Sequence, residues 1–381
     1  MKTQLRTASI ALAVAALFSS SAVLAQTVVR IGHVAPMTGG IAHLGKDNEN
    51  GAKLAIADLN KAGLTIGGQK VKFELLSEDD AADPKQGTAA AQKLVDAKVA
   101  GVIGHLNSGT TIPASTLYNR AGIAQISPSS TNPRYTLQGY NTAFRVVAND
   151  GQLGGTLGRY AVNELKGKSI AIIDDRTSYG QGVADEFAKG VQAAGGKVIT
   201  RQYTTDKATD FSAILTTIRG RKPDVVFFGG MDAVGGPMLR QMKQLGIDAK
   251  FMGGDGICTS ELPKLAGDAV GNAKVICAEA GGVVGKFEKK MADFRTRFKS
   301  ETGEEVKLYA PYVYDATMVM VEAMKKANST DPKAYLPELA KIKYEGVTGP
   351  IAFDKNGDIL NGTLTLYTFN GPKRELLKVI Q

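Results

Sequence analysis

The stretch VAGVIGHLNSGTTIPASTLYNRAGIAQISPSSTNP, residues 99–133, decides how the chain must fold. An apolar run at 99–103 empties into Ser108, Thr110 and Thr111, and a second at 123–126 empties into Ser127, Ser129, Ser130 and Thr131. Between them residues 113–121 have helical character, with Pro113 at a position where proline can open a helix. Strand, helix and strand in this order argue for two parallel neighbours joined by a crossover. Both strands then end in hydroxyls and small residues. Such clusters suit catalysis, or a cradle for a small anion or zwitterion at a helix N-terminus. Ordinary helix capping by Ser and Thr is the plain alternative.

The same rhythm extends in both directions. Strands at 28–34 and 71–76 alternate with helices at 44–61 and 84–98. The pattern then restarts, with a helix at 151–165, the strand SIAIID at 169–174, a helix at 181–194 and a strand at 197–203. Residues 211–219, 225–228, 237–245 and 251–252 continue it. Helices are expected at 287–300 and 312–327, and short strands near 350–353, 363–369 and 375–379. The fold class is therefore α/β, with two doubly wound parallel-sheet lobes that meet near Asn149.

The first 25 residues read as a secretory signal peptide: Lys2 and Arg6, an apolar core at 10–18, and small residues up to Ala25. That core is too short to span a membrane, and no later segment reaches about 18 apolar residues. A soluble, exported protein follows, and the periplasm is the expected compartment. The formal charge of +9 drops to about +7 without Lys2 and Arg6. No dense basic run interleaves with aromatics, so nucleic acid is not an expected partner, and the lysines read as a solvated surface. The two cysteines, Cys258 and Cys277, form an even pair in an exported chain and are expected to be disulfide-bonded.

Enzyme signatures fail. His33, His43 and His105 are the only histidines and include no i, i+4 pair, so neither a zinc site nor a histidine-based triad is supported. No G-x-S-x-G occurs, no G-x-G-x-x-G opens the first helix, and the GKS at 167–169 precedes a strand. No metal, cofactor or catalytic residue is expected.

Seven fragments, in order, then carry a resemblance. They are MTGGIAHLGKDNENGAKLAIADLN (37–60), DDAADPKQ (79–86), GHLNSGTTIPAS (104–115), ISPSSTNP (126–133), YGQG (179–182), FMGGDG (251–256) and VTGPIAFDKNGD (347–358). Over nearly its whole length the chain resembles the periplasmic branched-chain amino-acid-binding proteins, of the leucine/isoleucine/valine type, that feed ABC importers. The resemblance implies the type I periplasmic binding protein fold, a hinged cleft and three crossings. The lobes would comprise 26–149 with 278–361, and 150–277 with 362–381. It implies that Ser108, Ser129 through its backbone, and Thr131 hold the ligand carboxylate, and that Asp255 holds the ammonium. Tyr179 and Tyr309 would line the cleft. The sequence departs from the family pattern at Leu44 and Met231, where aromatics are common, and at Ala82 and Asn107, where the family has a cysteine pair. Partners would be a small amino acid and a membrane complex of permease and ATPase, with the protein acting as a monomer. A carboxylate such as an aromatic acid, an amide, a ligand sensor that does not serve transport, and an exported hydrolase are the competing readings. The hydrolase would need a base beside Ser108.

Overall fold

The computed structural model describes residues 26–271 and 274–380, so the leader at 1–25 lies outside the described residues. In the first lobe the chain runs β1 (Thr27–Ala35), α1 (Ala42–Ala62), β2 (Thr65–Ile66), β3 (Gln69–Asp79), α2 (Pro84–Asp96), β4 (Gly101–Gly104), α3 (Ser108–Ala121), β5 (Gln125–Ser127) and β6 (Ala143–Arg145). The second lobe follows with α4 (Asp150–Asn163), β7 (Ile170–Asp174), α5 (Ser178–Ala193), β8 (Val198–Tyr203), α6 (Ser212–Arg221), β9 (Val225–Gly229), α7 (Asp232–Gln244), β10 (Lys250–Gly253), α8 (Leu262–Ala266) and β11 (Val275–Glu279). The chain returns to the first lobe with α9 (Lys286–Thr302), α10 (Ala310–Ala327), α11 (Pro332–Leu339), β12 (Tyr344–Glu345) and β13 (Pro350–Ile351). It finishes in the second with β14 (Leu364–Asn370) and β15 (Lys373–Ile380).

The first sheet has the order β2-β3-β1-β4-β5-β6 and the second β15-β14-β11-β10-β9-β7-β8. β1 is flanked by parallel β3 and β4, with Ile31 opposite both Leu75 and Gly101. In the second sheet β8, β7, β9, β10 and β11 are parallel, and β14 and β15 add an antiparallel edge. Each sheet thus has a point where the winding reverses, between β1 and β4 and between β7 and β9. At such points the loops after the strand ends splay apart and leave a crevice. The strands are buried on both faces, with Ile31, Val102, Ile103 and Ile126 in one sheet and Ile172, Val226 and Phe227 in the other all at 0% exposure. Each such side chain contributes about 1.5–3 kcal/mol.

The three passages between lobes lie side by side. The Ala148 N–H donates to the Ala280 carbonyl at 3.0 Å, and the Thr363 hydroxyl to the Gly282 carbonyl at 2.8 Å. α4 and α5 pack so closely that a Cβ on Gly158 would stand 2.3 Å from the Phe187 carbonyl oxygen.

The helix expected from Pro113 starts five residues earlier, at Ser108. The Asn107 carbonyl accepts the N–H groups of Thr110 and Thr111, at 3.1 and 2.9 Å, and both threonine hydroxyls as well. Pro113 lies inside the helix, where its lack of an N–H leaves the Gly109 carbonyl without the usual i→i−4 donor. This difference matters for the site, because it puts Ser108 in the first turn of α3 with the free N–H groups around it.

Candidate ligand-binding cleft

The crevices of the two sheets face each other. From the first lobe, Ser108 begins α3 and its Oγ accepts hydrogen bonds from the Ser130 hydroxyl (3.2 Å) and the Asn132 N–H (3.3 Å). With its acceptor capacity used, the Ser108 hydroxyl is left to donate its own proton. Ser127 donates to the His105 carbonyl at 3.0 Å and accepts the Ser130 N–H at 2.9 Å, which sets the loop after β5. The Ser129 hydroxyl donates to the Leu106 carbonyl at 3.1 Å, while its N–H is 3.5 Å from Ser127 Oγ, a long contact that leaves the N–H open to a better acceptor.

The loop is bolted from beneath by Arg145, a fully buried guanidinium. It donates to the carbonyls of Ser130 (3.0 Å) and Asn132 (2.9 Å), to Thr136 Oγ1 and to the Asp358 carboxylate. Asp358 Oδ2 in turn accepts from the Asn149 amide at 3.0 Å, at the first crossing between lobes. The grip of the loop and the hinge are therefore one polar network.

From the second lobe, the Thr177 hydroxyl caps α5 by accepting the Gly180 N–H at 2.9 Å, which presents Tyr179 to the cleft. The Tyr179 hydroxyl donates to Asp255 Oδ1 at 2.7 Å and accepts the Gly256 N–H at 3.0 Å. Tyr309, at the start of α10 in the other lobe, donates to Asp255 Oδ2 at 2.7 Å. One carboxylate is thus held by a tyrosine from each lobe. Burial pushes Asp255 up to about 6, with both tyrosine hydroxyls pulling the other way. Burial, reinforced by the Asp255 charge, holds both phenols well above their usual range, so they stay O–H donors. Cys258, three residues on, is bonded to Cys277 in β11, so the disulfide fixes the turn that carries Asp255.

Ser108, Ser129, Tyr179, Asp255 and Tyr309 line one small cavity, with Leu106, Asn107 and Met231. Thr131 stands apart from that lining; it is fully buried and its hydroxyl makes no hydrogen bond. Its carbonyl accepts the Asp150 N–H at 2.8 Å, and burial, reinforced by the Asp255 charge, holds the Asp150 carboxyl well above the carboxylate range. Arg145 and Asp150 lie in none of the fragments that carried the resemblance, and Asp358, which ends one of them, was given no role there. The cavity measures about 10 Å³, room for about one water. The lobes are accordingly shut on each other. His43 Nε2 meets Asp232 Oδ2 at 2.8 Å, Lys307 pairs with Glu261 at 2.9 Å, and the Asn132 amide donates to the Ser178 carbonyl at 2.6 Å. Among the described residues no group of three His, Cys, Asp or Glu side chains is placed to hold a metal ion. No described helix is long and apolar enough to cross a membrane.

Two facing α/β lobes with this cleft agree with comparisons to known proteins. The family model described as "Periplasmic binding protein" matches residues 28–373, and the chain belongs to that family. It is 38% identical over 356 residues to a Leu/Ile/Val-binding protein homolog 1 of Brucella abortus, covering 92% of this chain and 91% of that one. It is 34% identical over 355 residues to a leucine-, isoleucine-, valine-, threonine- and alanine-binding protein of Pseudomonas aeruginosa, covering 93% and 92%. Among solved structures, the branched-chain amino-acid transporter substrate-binding protein LivJ of Streptococcus pneumoniae, in complex with isoleucine, superposes with a TM-score of 0.82. The identity is 25%, with 93% of this chain and 99% of that chain covered.

Proposed function

We propose that this protein captures a small α-amino acid, a branched-chain aliphatic one in the first place, between its lobes and hands it to an ABC importer. The observation that carries the reading is a single cavity lined both by neutral donors and by a carboxylate. The Ser108 hydroxyl at the start of α3 and the Ser129 N–H after β5 suit an anion, and the Asp255 carboxylate held by Tyr179 and Tyr309 suits a cation. Together those groups are complementary to a zwitterion. The relatives named for leucine, isoleucine and valine support the ligand class. In this reading Ser108 and Ser129 take the carboxylate and Asp255 the ammonium, while Thr131, expected from the sequence beside them, lies outside that lining. The protein works as an exported monomer in the periplasm after loss of its leader, and its lobes hinge near residues 149, 278 and 362. A hydrolase role is disfavoured by chemistry. The contacts of Ser108 Oγ are a hydroxyl and an N–H, neither of which can act as a general base.

Calorimetry with leucine and with 4-methylpentanoate, its analogue without the amino group, tests the proposal. Asp255→Ala leaves a ligand ammonium buried and unpaired, an expected cost of about 3–5 kcal/mol for leucine and far less for the analogue. Wild-type protein that binds neither compound, or an Asp255→Ala variant that binds leucine as tightly as wild type, removes the amino-acid reading. The latter outcome moves an aromatic acid ahead.

A further inference from the structure

α10 begins at Ala310 without a cap of its own. Its N-cap is Tyr309, whose side chain makes no capping bond, and residues 303–309 contain no Ser, Thr, Asp or Asn. The N–H groups at that end go instead to Asp47 in α1, 260 residues from Lys307. The Asp47 carboxylate, 3% exposed, accepts the Lys307 N–H at Oδ1 (2.9 Å) and the N–H groups of Leu308, Tyr309 and Ala310 at Oδ2 (3.1, 2.8 and 2.9 Å). Four charge-assisted bonds on one carboxylate, at the positive end of an 18-residue helix, hold the stretch more firmly than a single side-chain cap. One turn further along α1, Gly51 makes room for the same stretch: a Cβ there would stand 2.4 Å from the Ala310 carbonyl oxygen. Residues four apart share a helix face, so α1 presents one face shaped to seat the start of α10.

Tyr309 is part of the seated stretch. Its N–H is fixed by Asp47 in its own lobe, and its hydroxyl donates to Asp255 Oδ2 in the other. A tyrosine side chain has only two rotatable bonds, so fixing its backbone largely fixes where its hydroxyl falls. Asp47 itself lies outside the lining of the small cavity. We infer that Asp47 is a positioning residue of the cleft, which seats the start of α10 so that the Tyr309 hydroxyl meets Asp255, and thereby sets how tightly the shut cleft holds an amino acid. The inference rests on the proposed amino-acid function and adds to that site a residue that acts on it only through another.

A double-mutant cycle on the full chain tests it, with the Kd for leucine measured by calorimetry in wild type, Asp47→Asn, Tyr309→Phe and the double variant. Asp47→Asn keeps the side-chain volume but sets an amide NH2 against backbone N–H groups, so the stretch has to move. Each single change should weaken leucine binding about tenfold or more, as expected for losing a hydrogen bond to a charged group. In the Tyr309→Phe background, Asp47→Asn should add less than about threefold, because the hydroxyl it acts through is already gone. A merely structural role for Asp47 lowers affinity by the same factor in both backgrounds, and that result overturns the inference. So does an Asp47→Asn protein that binds leucine as tightly as wild type. Where Asp47→Asn fails to fold, Gly51→Ala, which displaces the same stretch, takes its place in the cycle under the same two criteria. In all these cases leucine binding by wild-type protein leaves the amino-acid function standing. Wild-type protein that does not bind leucine removes both.

Discussion

Asp255 is where single-residue chemistry decides most. It is 1% exposed, and its two oxygens are taken by tyrosines that approach from opposite lobes. The raised value near 6 has two consequences of opposite sign. In the ligand-free fold the group contributes stability at low pH, below its unfolded value, and loses it as pH rises through about 6. Ligand binding runs the other way, because the ammonium needs the ionised carboxylate. The Kd for leucine should therefore be flat above about pH 7 and rise by up to tenfold per unit as pH falls through 6, with proton release on binding in that range. Calorimetry in buffers of different ionisation enthalpy reads both quantities; a Kd unchanged down to pH 5 contradicts the assigned role. Burial, reinforced by the nearby Asp255 charge, holds the carboxyl of Asp150, 0% exposed, well above the carboxylate range. Asp255→Asn removes the Asp255 share of the pH dependence and, by removing the neighbouring charge, also eases the upward push on Asp150.

At the scale of elements, the site depends on how a strand end, a turn and a helix start are fastened. The Cys258–Cys277 bond links the Asp255 turn to β11 across 19 residues. A loop of that length is worth about 3 kcal/mol when closed. Free-thiol titration of the unfolded, unreduced protein should give close to zero. The Cys258→Ser, Cys277→Ser double variant should lose about 3 kcal/mol in denaturant unfolding and bind leucine more weakly, because the turn that aims Asp255 is loosened. Equal affinity in the double variant shows that the turn holds without the bond. The contact of α4 with α5 sets the position of Tyr179. There the missing Cβ of Gly158 leaves room for the Phe187 carbonyl and the Val191 N–H, 2.3 and 2.6 Å from where a Cβ would be. Gly158→Ala has to push the two helices apart, and should cost about 1–3 kcal/mol. An unchanged denaturation midpoint speaks against so tight a contact.

On the scale of the whole molecule, the cleft is held shut by contacts whose partners belong to different lobes. These are His43 with Asp232, Lys307 with Glu261, Asn132 with Ser178, and Tyr309 with Asp255. Burial disfavours charge on His43, but the Asp232 carboxylate outweighs it and raises its pKa, so the pair gains ionic character toward acid pH. All four contacts are lost together when the lobes part, and an amino acid cannot reach a 10 Å³ cavity unless they do. A ligand that touches both sides then favours the shut arrangement by its differential affinity. Small-angle scattering should show a smaller radius of gyration with saturating leucine than without. A radius that does not change while calorimetry shows full occupancy rules out the hinge.

Much of this was legible in the chain. Apolar runs alternating with helical spacing, and the restart after residue 149, are local signals, and they carried the two parallel sheets. The hydroxyl clusters after β4 and β5 and the even pair of cysteines were equally plain, because each is a matter of residue type at short range. Pro113 misdirected the helix start, since a backbone carbonyl and two threonine hydroxyls outweighed the proline signal. The rest came from packing. That Arg145 would find Asp358 across 213 residues, that Tyr309 would reach Asp255 from the other lobe, and that Thr131 would fall outside the cavity lining are results of tertiary contact. Periodicity and residue type report on a few neighbours along the chain. Which buried charge meets which partner is settled only when both sheets are packed and the desolvated groups must find one another.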